Sequence, residues 1–282
     1  MLAVAIALAV LTLLIGVVVQ SAQLFVARTA TSLRGVQLQA ALDAGSVTVV
    51  SALSAPAAGP RQQTLVPQAL TMNGASVKIA VRPEASKINL NYADRKLISA
   101  LLQASNISAA MAEKLTQEVV AARERDADVK YSTAPDRKLT SGPAARTTPF
   151  ETISDLARIA DGGPDLVTCL ESDVTIYSGR ADVDLSDASE RVRRATLMTE
   201  PGRVTPLRVN PPSTIATSPG EVFEITISAD TSSAPNYTRQ LIVRLTGNAR
   251  DPYWILHQQA PAPEKGVADA ACRRYKEAHD RP

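Results

Sequence analysis

No charge interrupts the chain from Met1 to Ala27, and the stretch MLAVAIALAVLTLLIGVVV is almost wholly aliphatic. At about 1.5 Å of rise per residue, such a run crosses a hydrocarbon core of about 30 Å, which predicts a transmembrane helix over residues 1–27. The competing reading is a cleaved secretory signal, since Val19-Gln20-Ser21 loosely fits a small-x-small cleavage pattern, but no basic n-region stands ahead of the apolar run. Apolar positions then thin to Leu24, Phe25, Leu33, Val36 and Leu42, with no proline before Pro56. That spacing predicts one helix that leaves the bilayer and continues over residues 28–55.

The period changes after Pro56 and Pro60. QALTMNGASVKIAV reads as two short strands around Asn73-Gly74, a dipeptide suited to a tight hairpin, and Ala75, Val77, Ile79 and Val81 alternate with Ser76, Lys78 and Ala80. One strand face is expected to pack on the long helix, and the extended segment is expected to run on through KINLN. From Asp94 the spacing becomes helical, with Leu97, Ile98, Leu101 and Leu102 followed by Ile107, Met111, Leu115 and Val119. Thr148, Pro149 and Glu151 have the spacing of a helix cap, which predicts a helix to about Ile159. Asp161-Gly162-Gly163-Pro164 ends it, and a short turn with Leu166, Val167 and Leu170 follows. KYSTAPDRKLTSGPAART reads as a polar loop between the helical units.

A weak internal repeat joins Ile88-Asn89-Leu90-Asn91 to Val183-Asp184-Leu185-Ser186, each followed by a capping residue, Asp94 or Ser189, and a short helix. After a proline-rich linker beginning at Pro206, strand alternation returns in EVFEITISA, NYTRQLIVRL and YWILH. The pattern predicts an α+β fold with these parts: a sheet begun by residues 56–93, a helical insertion over 94–204, returning strands over 205–260, and a polar tail over 261–282 that carries one solvated helix.

Composition narrows the function. Thirty Lys and Arg against 28 Asp and Glu leave +2, without the basic excess of a nucleic-acid coat, and only two histidines and two cysteines are present in 282 residues. Histidine-dependent catalysis and a thiolate zinc site are poor fits. No P-loop, Rossmann glycine signature, G-x-S-x-G or H-E-x-x-H occurs. Asp126 and Asp128 sit in the mixed run RERDADVK, which reads as an exposed helix end. Asp182, Asp184 and Asp187 offer oxygen ligands for calcium but lack the EF-hand glycine and terminal glutamate, so a solvated turn is the expectation. Cys169 lies on an apolar face where a thiol packs as a small hydrophobe, and Cys272 lies in the polar tail. A disulfide between them is chemically permitted in an oxidising compartment, but separate thiols are the expectation.

The hydrophobic helix, the hairpin running into Lys87-Ile88-Asn89-Leu90-Asn91, the helical insertion, the unit opening Pro149-Phe150-Glu151, and the Val174-Thr175-Ile176-Tyr177-Ser178 strand together resemble the type II secretion system protein K family. The resemblance covers nearly the whole chain to about His257. It implies a minor pseudopilin: a long helix on an antiparallel pilin-like sheet with a SAM-like, helix-hairpin-helix-like insertion. Such a protein has a single pass through the bacterial inner membrane, a periplasmic globular domain, and a non-catalytic role at the tip of a short fibre that helps export folded proteins. Implied partners are the other minor pseudopilins and the inner-membrane assembly platform, with prepilin peptidase if a leader lies upstream of Met1. No cofactor is required; calcium in the helical domain is a family property for which no ligand set matches here. Arg28 and Arg34 would by a literal charge count place the C-terminal side in the cytoplasm, a count that an upstream flank would change.

The expected assembly surface is the helix. Leu14, Phe25 and Leu33 supply apolar contact, and Gly16, Ala22, Ala27 and Ala30 permit close approach of neighbouring helices. INLNYADRKLISALL with PFETISDLARI also resembles the helix-hairpin-helix module of competence DNA-binding proteins, which gives a second reading, a membrane-anchored DNA-binding protein. Against it, Ala104-Ser105-Asn106-Ile107-Ser108 lacks the hairpin glycine, and residues 87–200 carry 15 Lys and Arg against 18 Asp and Glu. No nucleic-acid partner is expected.

Overall fold

The computed structural model describes residues 2–54, 62–65, 69–72, 75–124, 150–159, 161–201, 214–231, 234–259, 262–263 and 268–279. Helix α1 runs unbroken over Leu2–Leu53. Its polar groups do not interrupt it, because the hydroxyls of Thr29, Ser46 and Thr48 donate to carbonyls one turn back at 2.7–2.9 Å. Burial divides the helix in two. Leu24, Phe25, Leu33 and Val36 are exposed, whereas Leu38, Leu42, Val49 and Leu53 are buried at the spacing of one helical face.

That face lies on an antiparallel sheet. Strands β2 (Ala69–Met72), β3 (Ala75–Pro83), β7 (Val222–Thr231) and β8 (Ala234–Leu245) are neighbours in that order, and β9 (Tyr253–Gln258) and β10 (Ala262–Pro263) share the outer edge of β8. β1 (Gln62–Leu65) and β6 (Thr214–Thr217) form a separate antiparallel pair, so part of the predicted proline-rich linker is a strand. Alternation along β3 is strict from Ala75 to Ala80, and Val77, Ile79 and Val81 stand opposite Ala229, Ile227 and Ile225. Met72 pairs with Ala75, which leaves two residues for the hairpin connection; Asn73 and Gly74 lie outside the described residues. Gly45 brings helix and sheet together. A Cβ there would stand 3.1 Å from both Ile227 Cγ2 and Val77 Cγ1, so a bare backbone is what lets α1 sit this close.

A second core fills the insertion between β3 and β7. It holds a 3₁₀ turn at Glu84–Ser86, β4 (Ile88–Asn89), α2 (Arg95–Ala104), α3 (Ala109–Glu124), a 3₁₀ helix (Ile153–Arg158), α4 (Pro164–Leu170), β5 (Val174–Thr175) and α5 (Glu190–Thr199). Ile88, Leu101, Leu115, Leu156 and Val192 are among its buried residues. The KINLN segment does not continue the hairpin strand as expected. Pro83 ends β3, the 3₁₀ turn redirects the chain, and Ile88 N and Leu90 N donate to Asp173 O and Thr175 O, both at 2.9 Å, in a parallel pairing with β5.

The cap expectation fails at the one position that is described. Thr148 and Pro149 lie outside the described residues, and it is the Asp155 carboxylate, four residues past Glu151, that accepts the N–H groups of Thr152 (2.8 Å) and Glu151 (3.0 Å). The helix therefore starts at Ile153 and is 3₁₀. Thr152 and Asp155 repeat the spacing of Thr148 and Glu151, and tertiary contact chooses between them: Phe150 is buried and its carbonyl accepts from Asn91 Nδ2 at 3.1 Å, which holds that residue outside the helix. The predicted polar loop from Lys130, the predicted helix end carrying Asp126 and Asp128, and the start of the linker at Pro206 also lie outside the described residues.

The tail is corrected too. Helix α6 (Ala268–His279) buries Ala271, Cys272 and Tyr275 against α4, and Cys272 is disulfide-bonded to Cys169. The two cysteines, expected to stay apart, are joined because Leu166, Cys169 and Leu170 present an apolar face that takes the one apolar stripe of α6. Arg274 pairs with Asp165 at 2.8 Å, and Tyr275 donates its hydroxyl hydrogen to Asp161 O at 2.5 Å.

Candidate assembly surface and the seam behind it

The proposed assembly residues lie on the half of α1 that the sheet leaves uncovered. Gly16, Ala22, Phe25 and Leu33 are exposed and Ala30 is half-buried, while the side chains of Leu14 and Ala27 lie outside the described set. α1 is long and apolar enough to cross a membrane. Phe25 is 72% exposed and Leu33 59%, an amount of bare apolar surface that water alone does not favour on a helix of this length.

The two strand-to-helix junctions share a turn. Asn89 Oδ1 accepts the N–H of Asn91 at 2.9 Å, and Asp184 Oδ1 accepts that of Ser186 at 3.0 Å. Ile88, Leu90, Val183 and Leu185 are buried, Asn89 Nδ2 donates to Ser178 Oγ at 2.9 Å, and Asp184 N donates to Ala85 O at 2.8 Å. These residues build the insertion and tie it to the end of β3. Asp94 makes no side-chain cap bond to α2, whereas Ser189 accepts from Val192 N at 3.2 Å and also donates to Asp173 Oδ1 at 2.6 Å.

Sequence reasoning missed the ionic seam between insertion and sheet. Lys87 is 2% exposed and its ammonium lies 2.8 Å from Glu84 Oε1 and 2.8 Å from Glu224 Oε2 on β7. Burial pushes its pKa down, but the two carboxylates more than reverse this and hold it above the ordinary lysine value. A cavity of about 290 Å³ opens beside the seam, with Tyr177 and His257 in its wall. Lys87 is held protonated there, which removes it as a nucleophile or general base near neutral pH. Nothing in the local pattern marked Lys87, because its partner Glu224 is 137 positions away in sequence.

The candidate calcium residues Asp182 and Asp184 have protein partners. Asp182 engages Arg180 through both oxygens (3.1 and 2.8 Å), Asp184 serves its own turn, and no group of three or more His, Cys, Asp or Glu among the described residues is placed to hold a metal ion.

No family model and no curated protein matches this sequence. A solved structure does, in the GspK–GspI–GspJ complex from the type 2 secretion system of enterotoxigenic Escherichia coli: the TM-score is 0.55, with 84% of this chain and 100% of the other covered. The chain folds like GspK. At 14% identity the likeness to GspK is one of backbone architecture, an α+β chain with a long apolar N-terminal helix and an antiparallel sheet.

Proposed function

We propose that this chain is a minor pseudopilin of a type II secretion system. It is a non-catalytic subunit, anchored in the inner membrane by α1 with its globular part in the periplasm, that caps the tip of the pseudopilus and assists export of folded proteins. The divided burial of α1 carries the reading: among its described side chains, Leu13, Ile15, Val19 and Leu24 to Val26 are bare apolar surface, and its second half is fixed to a sheet that bears a helical insertion. The likeness to GspK over 84% of this chain, in a structure solved together with GspI and GspJ, supports partnership with other minor pseudopilins. The inner-membrane platform, and prepilin peptidase acting on any leader, complete the proposed set.

The test uses the full chain. Phe25→Asp and Leu33→Asp alter exposed positions and leave the sheet untouched, so both proteins should fold, yet each should lose co-purification with the organism's other minor pseudopilins and lose export. Removing the first 27 residues should release a soluble protein that does not enter the fibre. Assembly and export by that truncated form would overturn the proposal.

A further inference from the structure

The turn between α2 and α3 has no glycine, yet Asn106 holds φ +65°, the left-handed conformation that glycine would supply there. Beside it lies a cavity of about 340 Å³, walled by Ser105, Asn106, Arg191, Cys272, Arg273 and Lys276. Three of these six side chains are cationic and none is acidic. That concentration is local, since residues 87–200 are net negative; it arises because the disulfide and the apolar stripe of α6 carry Arg273 and Lys276 to this wall.

The three cations are not equivalent. Arg191 is only 19% exposed, pairs with buried Asp173 at 2.9 Å and donates to Cys169 O at 3.1 Å, so its position is fixed and its charge is already matched. Arg274, between the other two on α6, is taken by Asp165. The side chains of Arg273 and Lys276 are exposed, make no ion pair or hydrogen bond with another described residue, and leave about two positive charges without a protein partner at the cavity.

We infer that this cavity binds a phosphate monoester dianion. A guanidinium presents paired donors that match phosphate oxygens, an ammonium adds a mobile point charge, and two unmatched cations balance a dianion. The volume exceeds that of free phosphate and leaves room for a small polar group esterified to it, in a range typical of small-ligand pockets. Duplex DNA is a poorer occupant, because a clamp on a polyanion needs a basic face wider than two side chains. The inference is independent of the assembly role, which rests on α1.

The test is calorimetric titration of the full-length protein in zwitterionic detergent with glycerol 3-phosphate. Single-site binding is expected, weakened at least about tenfold in the double variant Arg273→Ala/Lys276→Ala, the size expected for loss of two charge-assisted contacts. Lys78→Ala/Arg250→Ala, with the same charge change elsewhere, should leave binding within about twofold. Mixed micelles with and without phosphatidic acid, whose headgroup is itself a phosphate monoester, separate the sources: competition by that lipid against glycerol 3-phosphate identifies a headgroup, and its failure to compete identifies a soluble ester. No saturable binding, or equal weakening in both double variants, would overturn the inference, as would binding of a DNA duplex that is lost in Arg273→Ala/Lys276→Ala without any response to the monoester.

Discussion

Lys87 Nζ stands 2.8 Å from Glu224 Oε2 and thereby joins the first residues of the helical insertion to the central strand of the sheet. A third charge, Glu84, is 1% exposed on the same ammonium. Removing only the lysine leaves two carboxylates facing each other in a buried setting. Lys87→Met should therefore destabilise by about 3–5 kcal/mol, read by chemical denaturation, and adding Glu84→Gln and Glu224→Gln should recover a large part of it. If Lys87→Met were neutral, the seam would not be a structural tie.

The sign of the pH dependence follows from the raised pKa of Lys87. A folded value above the unfolded one means that the ion triad contributes fully below the ordinary lysine pKa and is lost as pH rises through the folded value. Tyr275 acts in the same window. Burial first, then Asp161 and Glu118, push its phenol up to about 12, so folding holds the proton and stability falls as pH climbs from 10 towards 12. Tyr275→Phe should cost about 1–2 kcal/mol at neutral pH through the lost bond to Asp161 O, while flattening part of that alkaline loss. Phenol absorbance against pH, with melting curves, checks both outcomes.

Gly45 and Gly35 give a paired packing test on one helix. Nothing lies within 4 Å of a Cβ at Gly35, so Gly35→Ala should stabilise by about 0.5–1 kcal/mol through helix propensity. At Gly45 the added atoms meet Ile227 and Val77, so Gly45→Val should destabilise by about 1–3 kcal/mol and loosen α1 from the sheet. Thermal unfolding of the two variants should shift in opposite directions.

The Cys169–Cys272 bond closes a separation of 103 residues. Reduction, or Cys169→Ala with Cys272→Ala, should lower stability by about 2–5 kcal/mol through the freed unfolded chain. It should also expose α6 to protease first, because the helix otherwise rests on a narrow apolar stripe. Unchanged melting and cleavage after reduction would show that Tyr275 and Arg274 suffice to hold it.

Local periodicity determined much of this protein. The uncharged run to Ala27, the alternation from Ala75 and the fours from Ile107 to Val119 each report contacts within one element, which is why α1, β3 and α3 were legible. The sequence marked a helix opening at Thr148, whereas the described helix starts at Ile153, where the Asp155 carboxylate accepts the N–H of Thr152. Pairings across long separations carry no local period. The Lys87 seam, the β4 pairing with β5, the docking of α6 and the meeting of Cys169 with Cys272 were decided by tertiary packing, because each depends on two segments that close-packing brings together and neither segment announces the other.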